Sequence, residues 1–164
     1  MTSKLEVRAE GENAVVIARS FAAPRDLVFD CWTKPHFVKQ WLTGPEGWSF
    51  LVCEIDLKVG GQYRYVWQNT EGVTMGMTGT LKEIVKPEKL VSSEIFDEDW
   101  TGGEALVTAL FTSDDGGTRV TQTVVYSSAQ AREGALASGM TEGMEAGYQR
   151  LERVLDEMTG RKAS

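Results

Sequence analysis

The sequence predicts an α+β fold: a curved antiparallel β-sheet, with two short helices, wrapped around one long C-terminal α-helix. Three observations predict it. Residues 48–126 keep a hydrophobic period of two, broken by turn formers and by no helical stretch, which is the pattern of consecutive antiparallel strands. Residues 129–158 carry Leu136, Met140, Met144, Tyr148, Leu151 and Leu155 at spacings of three and four, one apolar stripe of a helix. A sheet with one apolar face must cover it, and this helix is the only element large enough to do so.

The elements follow in order. Lys4–Ala9 alternates weakly and ends at Gly11-Glu12-Asn13. Ala14–Phe21 is a strand in which Val15, Ile17 and Arg19 alternate with Val16, Ala18 and Ser20, so an opening hairpin is expected. A helix starts at Ala23-Pro24, where proline loses no needed donor and Asp26 meets the positive helix end. Leu27, Val28, Cys31 and Trp32 make its apolar face. Lys34-Pro35 interrupts it, and a second short helix, His36–Leu42, turns Phe37, Val38 and Trp41 to one side. After the turn formers of Thr43–Gly47 come six strands: Trp48–Leu57, Tyr63–Trp67, Val73–Val85, Leu90–Phe96, Glu104–Thr112 and Thr118–Ser127. The first of these shows mixed burial. In the second, Tyr63, Tyr65 and Trp67 share a face; in the third, Val73, Met75, Met77, Gly79 and Leu81 do. Ala129–Met158 reads as one continuous helix, and the tail from about Gly160 as frayed.

A chain of 164 residues with 41% hydrophobic content makes one domain, residues 1–164, with its own core. The net charge of −7 repels phosphate backbones and no run of Lys or Arg offsets it, which argues against a nucleic-acid partner. No apolar stretch reaches the roughly 18 residues of a membrane span. Met1–Glu12 is polar and does not read as a signal peptide. A cytoplasmic protein is expected, monomeric or homodimeric, with Cys31 and Cys53 either joined in a disulfide or, as a reducing cytosol favours, left as two buried thiols. The single histidine, His36, leaves no histidine-built metal site. There is no nucleophile motif, phosphate-binding glycine loop or metal-ligand spacing, so no catalytic residue, metal or cofactor is assigned.

The candidate site is the space between sheet and helix. Tyr63, Tyr65, Trp67, Met75 and Met77 face it from the strands. Met140, Met144 and Tyr148, with Gly143 beside them, meet these from the long helix, and Trp41 lies at the sheet's mouth. Such side chains either pack together as core or line a pocket for an apolar or aromatic molecule, because methionine adapts to irregular shapes. Gly139, Gly143 and Gly147 recur every fourth residue. An interior helix glycine costs about 1 kcal/mol relative to alanine, so either close backbone packing or room for a ligand favours the missing side chains. His36, Arg64 and Glu83 form one acid–base set to consider. Against it, Arg64 points away from Tyr63 and Tyr65, and His36 opens a short helix. Asp97-Glu98-Asp99-Trp100 is either a solvated loop, with Trp100 on the sheet edge, or a rim gating the pocket.

Several segments carry a family resemblance. They are Phe21-Ala22-Ala23-Pro24-Arg25-Asp26-Leu27-Val28-Phe29-Asp30-Cys31-Trp32, Trp41 ahead of Gly44-Pro45, and Gly60-Gly61-Gln62-Tyr63-Arg64. Gly79 with Glu83-Ile84, Pro87-Glu88-Lys89-Leu90, Gly116-Gly117-Thr118-Arg119-Val120-Thr121 and Met140-Thr141-Glu142-Gly143-Met144 follow. In this order and spacing the chain resembles the group named after the activator of the heat-shock-protein-90 ATPase. That group lies within the helix-grip superfamily of START domains, birch-pollen-allergen-like proteins and polyketide cyclases. The resemblance implies a helix-grip fold that is often hollow. It implies binding of a small hydrophobic or aromatic molecule without chemistry, with a chaperone-interacting module or a cyclase or dehydratase as alternatives. Trp41-Leu42 stands where the family often has two tryptophans, Phe37 where it often has histidine, and Met144 where many members have tryptophan. These changes lie near the family's cavity, so ligand identity does not carry over.

Overall fold

The computed structural model describes residues 4–44, 46–98 and 103–160. Its elements are β1 (Glu6–Glu10), β2 (Ala14–Phe21), α1 (Arg25–Thr33), α2 (Pro35–Trp41), β3 (Trp48–Ile55) and β4 (Gln62–Asn69). They continue with β5 (Thr74–Val85), β6 (Lys89–Phe96), β7 (Ala105–Asp114), β8 (Gly117–Val125), α3 (Ala129–Ala137) and α4 (Met140–Thr159). The eight strands form one antiparallel sheet in the order β1-β2-β8-β7-β6-β5-β4-β3. This is the predicted α+β architecture, a sheet wrapped on a long C-terminal helix. Asp99 and Trp100 of the acidic loop, and the tail beyond Gly160, lie outside the described residues.

Two bulges bend the sheet. In β3 the register shifts between Phe50 and Val52, and in β5 between Leu81 and Glu83. An extra residue on one strand kinks it and sharpens its twist. The bulge also explains the mixed burial of β3: Phe50 packs on the core before the shift, Cys53 and Ile55 after it, and Leu51 is left 57% exposed. Similarly in β5, Met77 and Leu81 are buried ahead of the shift and Ile84 packs inward beyond it.

One prediction is corrected. The stretch read as a continuous helix divides into α3 and α4 at Ser138-Gly139. Gly139 has φ +85°, a left-handed conformation that ends a right-handed helix and that glycine reaches without a Cβ clash. Ser138 caps α3, its backbone N–H and its hydroxyl both donating to the Ala135 carbonyl. The apolar spacing runs on through the break because Leu136 and Met140 both still pack on the core.

The two ends of α4 pack differently. Its buried residues are Gly147, Tyr148, Leu151, Val154 and Leu155, all in the C-terminal part. There Arg19 of β2, fully buried, donates from Nη1 to the Tyr148 carbonyl at 3.2 Å and from Nη2 to Glu152 Oε2 at 3.5 Å. Its guanidinium carbon also lies 4.9 Å from the centre of the Phe21 ring. A Cβ on Gly147 would meet the Trp41 carbonyl oxygen at 3.4 Å, so α4 lies close on α2. Trp41 Nε1 in turn donates to the Cys31 carbonyl at 2.8 Å, tying α2 to α1.

Two outcomes follow from this packing. Arg19→Ala removes a core side chain and three contacts at once, and urea unfolding should show a loss of about 2–4 kcal/mol. At the glycines the signs are opposite. Gly139→Ala should lose about 1 kcal/mol because of its φ, whereas Gly143→Ala should gain about 0.5–1 kcal/mol, since a Cβ there meets nothing within 4 Å.

Candidate functional site

The inner face of the sheet and the N-terminal part of α4 enclose a cavity of about 410 Å³. On β4 the inward parity brings Tyr63, Tyr65 and Trp67 to its wall. Their register partners on β5 are Gly79, Met77 and Met75, so Tyr65 and Trp67 each stand opposite a methionine. Met140, Gly143, Met144 and Tyr148 line it from α4, and Trp41 from α2. All ten residues singled out in the sequence thus lie around one space. Trp41, Tyr63, Tyr65, Met77 and Tyr148 are buried, Trp67, Met140, Gly143 and Met144 half-buried, and Met75 is 39% exposed.

The indole N–H groups of two lining tryptophans, Trp41 and Trp67, are engaged by backbone. Trp41 Nε1 donates to Cys31 as described, and Trp67 Nε1 donates to the Leu42 carbonyl at 2.8 Å. Trp32, a further lining residue, packs with its ring tilted against Trp41 at 4.7 Å and Tyr148 at 5.8 Å, ring centre to ring centre. The glycine row separates into three roles. Gly139 breaks the helix, Gly147 packs on α2, and Gly143 borders the cavity with open space where a side chain would be.

Gly79 sets the position of Tyr63. A Cβ there would lie 1.9 Å from Tyr63 Cζ, the ring carbon that bears the hydroxyl, so this end of the ring lies directly across the glycine. That brings its hydroxyl to β6, 2.9 Å from Ser92 Oγ, and lets it donate to Glu94 Oε2 at 2.5 Å. Burial raises the Glu94 pKa, and the hydrogen bond from Tyr63 opposes part of that shift. Burial, reinforced by the Glu94 carboxyl, pushes the Tyr63 phenol well above its ordinary value. Further along, Gln122 Nε2 donates to the Tyr148 hydroxyl at 3.0 Å.

Ser92, Glu94 and Gln122 were not among the residues singled out from the sequence. On β6 the inward set is Leu90, Ser92, Glu94 and Phe96 and the other set Val91, Ser93 and Ile95. Both mix apolar and polar side chains, so alternation does not choose a face. The signal was an acid on a strand whose two ends are apolar at the same parity.

His36, Arg64 and Glu83 are not assembled into a site. His36 is exposed at the start of α2. Arg64 lies off the cavity wall, paired through both nitrogens with Asp97 at 2.6 Å, and Glu83 pairs with Lys89 at 3.2 Å. Cys31 and Cys53 are buried free thiols, and burial, with the nearby Asp30 carboxylate, pushes the Cys31 pKa up to about 12. Among the described residues no three His, Cys, Asp or Glu are grouped so as to hold a metal ion, and no helix is long and apolar enough to cross a membrane.

The family model described as Activator of Hsp90 ATPase homolog 1-like protein matches residues 22–156. The chain belongs to that family. A crystal structure of a protein from Rhodobacter sphaeroides is 32% identical over 94% of this chain and 99% of that one, with a TM-score of 0.89. A crystal structure from Nitrosomonas europaea is 22% identical, over 93% of this chain and 99% of that one, with a TM-score of 0.81. The solution structure of the AHSA1-like protein from Aeromonas hydrophila, at 20% identity and 86% and 93% coverage, reaches 0.70. The latter two show the shared fold. No curated protein matches the chain.

Glu94 gives a pH-dependent outcome. Its folded pKa lies above the unfolded value, so the folded protein holds the proton more tightly and stability falls as pH rises from the unfolded pKa towards the folded one. Glu94→Gln removes that loss. Denaturant unfolding should find the variant more stable than wild type at about pH 7 and equal to it at about pH 3, below the unfolded pKa, where the carboxyl is protonated in both states.

Proposed function

We propose that the protein binds a small hydrophobic or aromatic molecule in the cavity between its sheet and α4, without transforming it. The observation that carries this reading is the open volume of about 410 Å³, bounded by aromatic rings and methionines, with the indole N–H groups of Trp41 and Trp67 already bonded to backbone carbonyls. A space of this size matches small-molecule pockets of roughly 300–1,000 Å³. Family membership supports a binding role, because a fold built from a sheet and one covering helix leaves the space between them free to vary.

A second reading, interaction with a chaperone ATPase, takes support from the family's description and from apolar residues on the sheet's outer side. Leu106 and Leu110 of β7, with Ile95 of β6, are each about 40% exposed. A cyclase or dehydratase role would use the Tyr63–Glu94 pair as its polar group.

The cavity reading is tested by calorimetric titration of the full chain with naphthylmethanol, a neutral bicyclic probe. Wild type should bind it, and Gly143→Leu, which grows a side chain into the space, should reduce the affinity at least about tenfold while keeping the wild-type circular dichroism. Equal affinity in both proteins, or no binding by wild type, defeats the reading. Native mass spectrometry of protein from its own host would identify the resident molecule. A mass change on turnover would favour chemistry, and stimulation of a chaperone ATPase by persistently empty protein would favour the second reading.

A further inference from the structure

Among the described residues, the cavity wall carries one carboxyl group and no basic side chain. Among the described lining residues Glu94 is the acid, and there is no Lys, Arg or His. The Glu94 carboxyl is held rather than free to turn. Tyr63, lying across Gly79 and in contact with Ser92, occupies one of its oxygens at 2.5 Å. Among the described residues no other hydrogen bond reaches the carboxyl, so its second oxygen is left to the cavity.

A carboxylate away from bulk water with no counter-charge is costly, and a cation brought by a ligand would relieve that cost. The rest of the wall is suited to such a cation. Tyr65, Trp41 and Trp67 line it with aromatic rings, with both indole N–H groups bonded to backbone carbonyls, and aromatic rings attract ammonium groups. A ligand carboxylate would meet the opposite situation, a like charge and no cationic partner. The raised Glu94 pKa agrees with this, since it is what burial without a cation produces.

We infer that the cavity selects amines: molecules with an aromatic or aliphatic body and one protonated nitrogen, which pairs with the free oxygen of Glu94. Tyr63 acts as a positioning residue that holds the carboxyl, and the methionines and tryptophans take the body. This inference rests on the cavity reading and names the ligand class for the same site.

The test compares three probes of one shape by calorimetry on the full chain: naphthylmethylamine, naphthylmethanol and naphthoate. Wild type should bind the amine at least about tenfold more tightly than the alcohol, with naphthoate weakest. In Glu94→Gln the ratio of amine to alcohol affinity should collapse towards one. The ranking in wild type needs no variant, so the inference stays open to refutation if Glu94→Gln folds poorly. If the alcohol binds and Gly143→Leu weakens it, but the amine has no advantage, amine selection fails and the cavity reading stands. An amine advantage that survives in Glu94→Gln also overturns the assignment. If none of the three binds, both readings fall together.

Discussion

A guanidinium without access to water fixes how far α4 stands from the sheet. Arg19 projects from β2 into the core and reaches the Tyr148 carbonyl and the Glu152 carboxylate on one turn of the helix. A buried cation is tolerated only where such partners meet it, so β2 and this turn of α4 are tied to one separation. On the other side of the same turn, Gly147 lets α4 lie close on Trp41 of α2. The helix is clamped between these two contacts, and its buried residues all lie from there towards its C-terminal end.

The cavity is a consequence of that one-sided clamp. Ahead of Gly147 the helix carries Met140, Gly143 and Met144, half-buried, and it begins at the left-handed Gly139 rather than continuing from α3. The sheet bends beneath it through the bulges of β3 and β5. A curved surface and a straight helix held at one end diverge towards the other, and large aromatic side chains line the gap. The missing Cβ of Gly143 adds to the opening.

Inside the gap, the polar groups form short chains rather than isolated sites. Tyr63, Ser92 and Glu94 make one, Gln122 and Tyr148 another. Buried polar groups need such partners, and the first chain depends on Gly79 leaving room for a phenol ring. The N–H groups of Trp41 and Trp67 are satisfied by backbone at the ends of α1 and α2, so the apolar carbon of these rings is what remains for a guest.

The fold and the apolar wall of the site were legible in the sequence by itself. Alternation places Tyr63, Tyr65 and Trp67 on one face without reference to any other strand, and helical spacing does the same for Met140, Met144 and Tyr148. Periodicity did not mark the end of α3, because the apolar stripe continues across Gly139 and only backbone conformation breaks it. The three glycines looked equivalent by spacing, yet one breaks the helix, one borders open space and one packs on α2. That distinction needs the neighbours. The same holds for Arg19, an alternating strand residue until its partners on α4 are known, and for Glu94, whose strand mixes polar and apolar residues on both faces. Local periodicity records which side of an element is apolar. The distance between two elements, and so whether the core between them is filled or hollow, is decided only by contacts far apart in the chain.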